Sequence, residues 1–173
     1  MTKALRIGTE RVDDIPLLIA QIEGMGIPEL LEAHFETHGN GVGTGMGWTT
    51  GVWLAHILLQ GDHRLSRVEK WVSERAETLE QSMGAMVLAT EWSDDRLGII
   101  VDVLSEEESW QAFEGGLNRR TLRVYDLKAE RVRVDSTTAS GNWSVREDGL
   151  FQFGHSQAHR PDLPQLKMML SAL

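Results

Sequence analysis

The sequence predicts an α+β chain: an all-helical N-terminal domain over residues 1–118, a connector over 119–130, and the first two or three strands of a sheet over 131–173. Three observations carry this. Apolar residues recur at three- and four-residue spacing between residues 13 and 118. Arg131-Val132-Arg133-Val134-Asp135 then alternates strictly, which is the period of a strand. The charge also steps near this junction. Residues 1–118 hold 8 Lys+Arg against 20 Asp+Glu, a net of −12, whereas residues 119–173 hold 9 against 6, a net of +3.

The helical elements follow in order. Residues 13–37 read as two short helices, with Asp13 or Asp14 as the first cap and Pro16 in the opening turn, where a missing N–H costs nothing. Leu17, Leu18, Ile22 and Met25 form a stripe that Gly24 and Gly26 interrupt, and Pro28 opens the second helix with Leu30, Leu31 and Phe35. Residues 39–47, GNGVGTGMG, are a loop by composition. Residues 48–60 form an apolar helix through Trp48, Val52, Trp53, Ile57 and Leu58, with His56 inside it. Leu65, Val68, Trp71 and Val72 mark the next helix, and Leu79, Met83 and Met86 a further short one. Ser93 caps a helix through Leu97, Ile100, Val101 and Leu104, with Asp94 and Asp95 favouring the positive end of its dipole. Ser105 and Glu108 form a capping box for a last helix bearing Trp110, Phe113 and Leu117. The Trp and Met positions are most simply core.

In the C-terminal part, Val132 and Val134 share one strand face, and Arg131, Arg133 and Asp135 share the other. Leu150–Phe153 reads as a second strand paired with the first through the loop at Asp148-Gly149. Residues 165–173 fit a strand by the alternation of Leu166, Met168 and Leu170, and a helix by the propensity of Gln, Leu, Lys, Met and Ala.

Composition excludes several chemistries. The chain of 173 residues has no cysteine, so a disulfide scaffold, a Cys-based zinc ribbon and a cysteine nucleophile are out. Its hydrophobic fraction of 41% suffices for a core, and its net charge is −9. The first residues lack an apolar signal-peptide core. The most apolar run, residues 51–59, is stopped by Asp62, His63 and Arg64, well short of the roughly 18 residues of a membrane helix. A cytoplasmic protein without a membrane partner is expected.

The glycine-rich loop lacks both GxGxxG and GK[ST], and no strand pattern precedes it, so a nucleotide site is not supported. No GxSxG appears. His155 and His159 have HxxxH spacing, but no Glu follows His155, and Pro161 and Pro164 oppose a helix there; His34 and His38 share the spacing and read as surface. Asp135 ends a β-branched run before Ser136, Thr137 and Thr138. A strand-end carboxylate suits a divalent cation, although such an Asp is more often a turn starter. The basic block of Arg119, Arg120, Arg123, Lys128, Arg131 and Arg133 can meet phosphates or form a solvated edge. The acidic N-terminal part repels bulk nucleic acid, so a DNA contact must be local.

The stretches VRVDSTTASG and DGLFQFGHSQAHRPDLPQLKMML resemble the start of the catalytic domain of bacterial insertion-sequence DDE transposases, in which D-S-T-T carries the first catalytic acid. RVDDIPLLIAQIEGMGIPELLEAHF, HRLSRVEKW, EWSDDRLG and LNRRTLRVYDL are similar to the helical N-terminal region of one branch of that family, so the likeness spans nearly the whole chain. It implies an incomplete RNase H-like fold after the helical domain and a role in DNA transposition. It also implies Asp135 as catalytic acid and ligand of Mg2+ or Mn2+. His159 and Arg160, with Arg131 and Arg133 of the basic block, are then candidate nucleic-acid contacts. Gln157 departs from the usual Lys, and the glycine-rich loop is unlike the family's. The family's second Asp and final Glu have no counterpart within the chain, and Asp126, Asp148 and Asp162 do not fall at their positions. The expectation is an N-terminal fragment, inactive alone, because one carboxylate cannot hold two metal ions. Its partners would be transposon-end DNA and, through self-association or sheet completion, full-length transposase or another copy. The alternative is a non-catalytic helical module that binds DNA or transposase as a competitor or regulator.

Overall fold

The computed structural model describes residues 9–35, 43–128, 133–155 and 159–172. The fold is α+β, mostly helical, with a two-stranded antiparallel sheet among the described residues. It divides into two compact units, Met1–Asp126 and Leu127–Leu173.

The first unit contains α1 (Ile15–Gly24), α2 (Ile27–His34), α3 (Met46–Gln60), α4 (Val68–Ser73), α5 (Ala76–Met83), α6 (Asp94–Leu104) and α7 (Glu107–Val124), with short 3-10 turns at Leu65–Arg67 and Ala89–Trp92. α2 packs on α3 and α7, and α1 on α5 and α3. The buried stripe of α1 is Ile15, Ile19 and Ile22; Leu17, assigned to the stripe from sequence, is exposed. On α3 the buried positions are Val52, Ala55 and His56, while Leu58 faces solvent. Trp92 is wholly buried, and its indole N–H donates to the Thr49 carbonyl at 2.9 Å, which fixes the Ala89–Trp92 turn to the flank of α3. All of the buried aliphatic and aromatic side chains among the described residues lie between Ile15 and Phe113.

Several helix starts differ from their sequence expectation. Asp14 stands at the N-cap of α1 without a side-chain cap bond. Asp13 has φ 47° and instead faces Arg11 at 2.5 Å and the Arg75 guanidinium at 3.9 Å. Ser93 caps α6 as expected, its hydroxyl accepting from the Arg96 N–H. The Ser105–Glu108 box does not form. Glu106 is the N-cap of α7, and its carboxylate accepts from the Glu108 and Ser109 N–H groups at 3.1 and 2.7 Å. A carboxylate one residue further along reaches two orphan donors at once, which a serine hydroxyl cannot do. α7 then runs past Asn118 to Val124, because the basic residues that mark the charge step also suit a helix C-terminus. Met86 lies beyond α5 and is exposed.

α3 is anchored at its start from outside. Its N-cap, Gly45, has no side chain to offer. The Gly47 N–H donates to Glu32 of α2 at 2.8 Å, and the Thr44 N–H is shared by both carboxylate oxygens of buried Glu91 at 3.0 Å. A side chain at Gly47 would strike the Pro28 backbone, and one at Gly43, which has φ +143°, would strike the Glu91 carboxylate. The glycines described here therefore serve close approach; residues 39–42 of that loop lie outside the described residues.

The second unit pairs β1 (Arg133–Ser140) with β2 (Gln165–Ala172) antiparallel, from Arg133 opposite Ala172 to Ser140 opposite Gln165. This resolves residues 165–172 as strand. Leu150–Phe153 does not form the partner of β1; it contributes one isolated bridge, Gln152 to Gln165. The Gln152 side-chain amide is turned to the carbonyls of Arg146 and Gly149, closing the turn at 146–149, and Trp143 stacks on Phe151 with centroids 4.4 Å apart. The side chains of Val134, Leu150, Phe153, Met168 and Met169 are exposed.

Three outcomes follow. Glu91→Ala strands a backbone donor beside the core and should lower unfolding free energy by about 2 kcal/mol in urea titration. Limited proteolysis should leave a product ending between Val124 and Arg133, where α7 stops and β1 begins. The third concerns pH. Burial holds His56 below its ordinary 6.5, with Arg75 adding to the shift and Asp62 opposing it. For Glu10, burial works upward but is outweighed by hydrogen bonds from Thr78 and Glu77 and by Arg75, which hold it below 4.5. Both folded-state values are depressed, so the unfolded chain binds more protons in each window and stability rises with pH, falling on acidification. The His56 contribution is complete above about pH 6.5 and lost below it, and the Glu10 contribution is lost only below about pH 4.5. Melting temperature should drop between roughly pH 7.5 and 5.5, and His56→Gln should flatten that slope. An unchanged slope in the variant contradicts the assignment.

Candidate functional site

Asp135 lies within β1, between Arg133 and Ser136, opposite Leu170 of β2. Its carboxylate is exposed, and Oδ1 accepts from the adjacent Ser136 N–H at 2.8 Å. That bond orients one oxygen along the strand and leaves the other open to solvent. Arg133 occupies the first position of β1, opposite Ala172, and its side chain lies outside the described residues, as does the whole of Arg131.

His159 is exposed at φ 54°, with its ring 6.2 Å from that of His155 in an edge-on arrangement. Arg160 forms a two-point fork with Asp162, Nε to Oδ1 at 2.8 Å and Nη2 to Oδ2 at 2.7 Å. Hydrogen bonding within this pair holds the Asp162 carboxyl below its ordinary value and raises the Arg160 guanidinium further. The fork geometry that would grip a phosphate is thus taken by the chain's own carboxylate, and a phosphate must displace Asp162 to use it. The strand pairing does not bring Asp135 to this turn. The turn enters β2 at Gln165, opposite Ser140, five residues from Asp135, or about 17 Å along an extended strand.

Among the described residues no group of three or more His, Asp or Glu side chains is placed to hold a metal ion. Asp135 belongs to no such group among the described residues, and a single carboxylate does not fit a divalent metal pair by itself. On α7, Arg120 is spent on Glu29, with Nη1 donating to Oε2 at 2.9 Å, while Arg119 and Arg123 are exposed.

One feature of the helical unit escaped the sequence reading. Trp53 of α3, Val101, Leu104 and Ser105 at the end of α6, and Glu107 and Trp110 at the start of α7 line an open cleft of about 410 Å³. Trp110 is 42% exposed, where apolar spacing had placed it in the core. The available signal was the acidic run Glu106-Glu107-Glu108 immediately before it, since a tryptophan one turn from three carboxylates sits at a solvent boundary. No helix is long and apolar enough to cross a membrane among the described residues. Comparison of the chain with family models, with curated proteins and with solved structures finds no match in any of the three.

Proposed function

We propose that this chain supplies the helical region and the first catalytic acid, Asp135, of a DDE-type DNA transposase. The carrying observation is the β1–β2 ladder. It joins the strand bearing Asp-Ser-Thr-Thr to the strand that starts at Gln165, the last residue of His-Arg-Pro-Asp-Leu-Pro-Gln, so one segment of the resemblance lies in the sheet and the other is the turn that leads into it. An RNase H-like arrangement is the finer reading of that pair, within the α+β fold described above. In this reading Asp135 is one ligand of a divalent cation, Mg2+ or Mn2+, and the remaining acids come from chain beyond residues 1–173 or from another polypeptide. Arg119 and Arg123 stand exposed toward the end of α7 and suit a DNA backbone, and Arg131 and Arg133 are candidate contacts from the basic block of the sequence. His159 is exposed, and Arg160 joins them once a phosphate displaces Asp162. Cytoplasmic location and transposon-end DNA as partner belong to the same proposal.

A second reading rests on a different observation. The buried core lies wholly in the helical unit, so that unit has the packing to act as a non-catalytic module that binds DNA or a transposase. Its net charge of −12 over residues 1–118 favours a protein partner over nucleic acid.

Strand cleavage of an inverted-repeat duplex tests the first reading. Purified chain alone should neither nick nor join DNA in magnesium or manganese. Mixed with a polypeptide carrying the missing acids, it should gain metal-dependent cleavage that Asp135→Ala abolishes and Asp126→Ala spares. Cleavage by the chain alone that vanishes in Asp135→Ala would overturn the claim that further acids are needed. Binding that is indifferent to DNA sequence and steeply salt-dependent, with no cleavage in the mixture, would leave only generic phosphate attraction.

A further inference from the structure

The cleft between α3, α6 and α7 has a chemistry of its own. Its walls are aromatic and aliphatic, from Trp53, Val101, Leu104 and Trp110, with Ser105 and Glu107 as the polar lining. At about 410 Å³ it falls within the usual range of ligand sites, roughly 300–1,000 Å³. Trp110 is exposed yet not loose. Its ring lies 5.4 Å from Phe113, which is buried, and 6.5 Å from Phe35, also buried. An indole held from behind by two core rings loses little freedom when something settles on its open side.

The segment that carries this platform is acidic. Residues 101–111 contain Asp102, Glu106, Glu107 and Glu108 and no Lys or Arg. Glu106 is engaged as the N-cap of α7, and Glu107 Oε1 accepts from the Gln111 side-chain amide. α6 ends at Leu104 and α7 begins at Glu107, so the two helix dipoles oppose one another here and the side-chain carboxylates carry the negative charge of the rim. An aromatic ring face and a carboxylate both attract a cation, and the ring does so best when it is a tryptophan.

From this juxtaposition we infer that the cleft binds a basic segment of a partner protein, seating one arginine or lysine with its aliphatic stem against Leu104 and Val101 and its charged head between Trp110 and Glu107. The stem matches the apolar walls, and the head matches the rim. Duplex DNA is excluded from this face by the four acids. The site stands apart from the transposase reading: it uses only residues of the helical unit, and it holds whether or not Asp135 takes part in chemistry.

The test uses the full chain and an acetylated, amidated amphipathic peptide of leucine and arginine. Its control is the same peptide with citrulline, which keeps arginine's shape and loses its charge. Binding is followed through the indole N–H resonances of Trp53 and Trp110. The arginine peptide should shift both signals and bind about tenfold tighter than the citrulline peptide. Glu107→Gln, a surface change, and Trp110→Leu, which keeps the site apolar, should each weaken it several-fold, while Met86→Ala, an exposed change elsewhere, should not. Circular dichroism checks that each variant is folded. Four results would overturn the inference: equal binding of the citrulline peptide, undiminished binding by Glu107→Gln, indole shifts produced by duplex DNA or by protein concentration alone, and no binding of the arginine peptide at about 1 mM.

Discussion

The helical unit depends on two carboxylates that hold the start of a helix to which they do not belong, Glu32 on the Gly47 N–H of its first turn and Glu91 on the Thr44 N–H just before its N-cap. α3 is the element against which α1, α2 and α6 pack, and it begins on glycine with no side chain to receive its first N–H groups. Glu32 reaches in from α2 and Glu91 from the turn before α6, and each accepts a backbone N–H at the mouth of the helix. Helix starts attract anions because several N–H groups point the same way without partners. Here the anions are internal, and they tie segments on both sides of α3 to one point. The glycines follow from the same constraint. At Gly47 the backbone of α2 passes too close for a side chain, and at Gly43 the Glu91 carboxylate fills that space. A glycine-rich stretch before a helix invites a phosphate-binding reading. In this chain the acceptors are already built in.

The same device recurs at other helix starts. Glu10 receives the Glu77 and Thr78 N–H groups at the start of α5, and Glu106 receives two at the start of α7. Several of the acids that make residues 1–118 strongly negative are therefore spent on backbone donors, and others collect where their carboxylates accept no backbone N–H. Residues 101–111 are the clearest case, because Glu106 is used and Asp102, Glu107 and Glu108 remain around an aromatic cleft. Local charge balance, more than net charge, distinguishes this face from the basic end of α7, where Arg120 is neutralised by Glu29 and Arg119 and Arg123 stand exposed.

What the sequence made legible follows from range. Periodicity and caps are local, and the helices between residues 15 and 118, the break at Gly24–Gly26 and the Ser93 cap are readable from neighbours, whereas the last turns of α7, to Val124, fall in the stretch that reads as a connector. Which face of a helix is buried depends on distant partners, so Leu17 and Leu58 were assigned inward and Ile19 was overlooked. Caps from afar, such as Glu32 and Glu91, leave no local pattern at all. The partner of β1 was misassigned for a related reason. Leu150–Phe153 lies nearer in sequence and has the stronger β-formers, but Gln152 is taken up by the turn at 146–149, and the long alternating run at residues 165–172 makes the full ladder. At the candidate site, Asp135 could be singled out by its place after a β-branched run. That Arg160 would be clasped by Asp162 was not visible, although the i, i+2 spacing permits it.

The two units also differ in what they can sustain. The helical unit buries isoleucine, leucine, valine, tryptophan and phenylalanine side chains around α3 and needs nothing further to account for its packing. The second unit buries none of its described aliphatic or aromatic side chains, and a pair of strands has two open edges and two faces to cover. Ladder hydrogen bonds alone rarely stabilise such a pair in water, since the backbone groups exchange one set of hydrogen bonds for another. The rigidity that a catalytic acid needs at Asp135 must therefore come from structure joined to this sheet, because an aspartate on a fraying strand cannot hold a metal in fixed geometry. The cleft at Trp110 carries no such requirement, since its platform rests on Phe35 and Phe113 inside the packed unit. The proposed chemistry at Asp135 and the proposed recognition at Trp110 therefore make separate structural demands, and only the second has its supporting shell within the described residues.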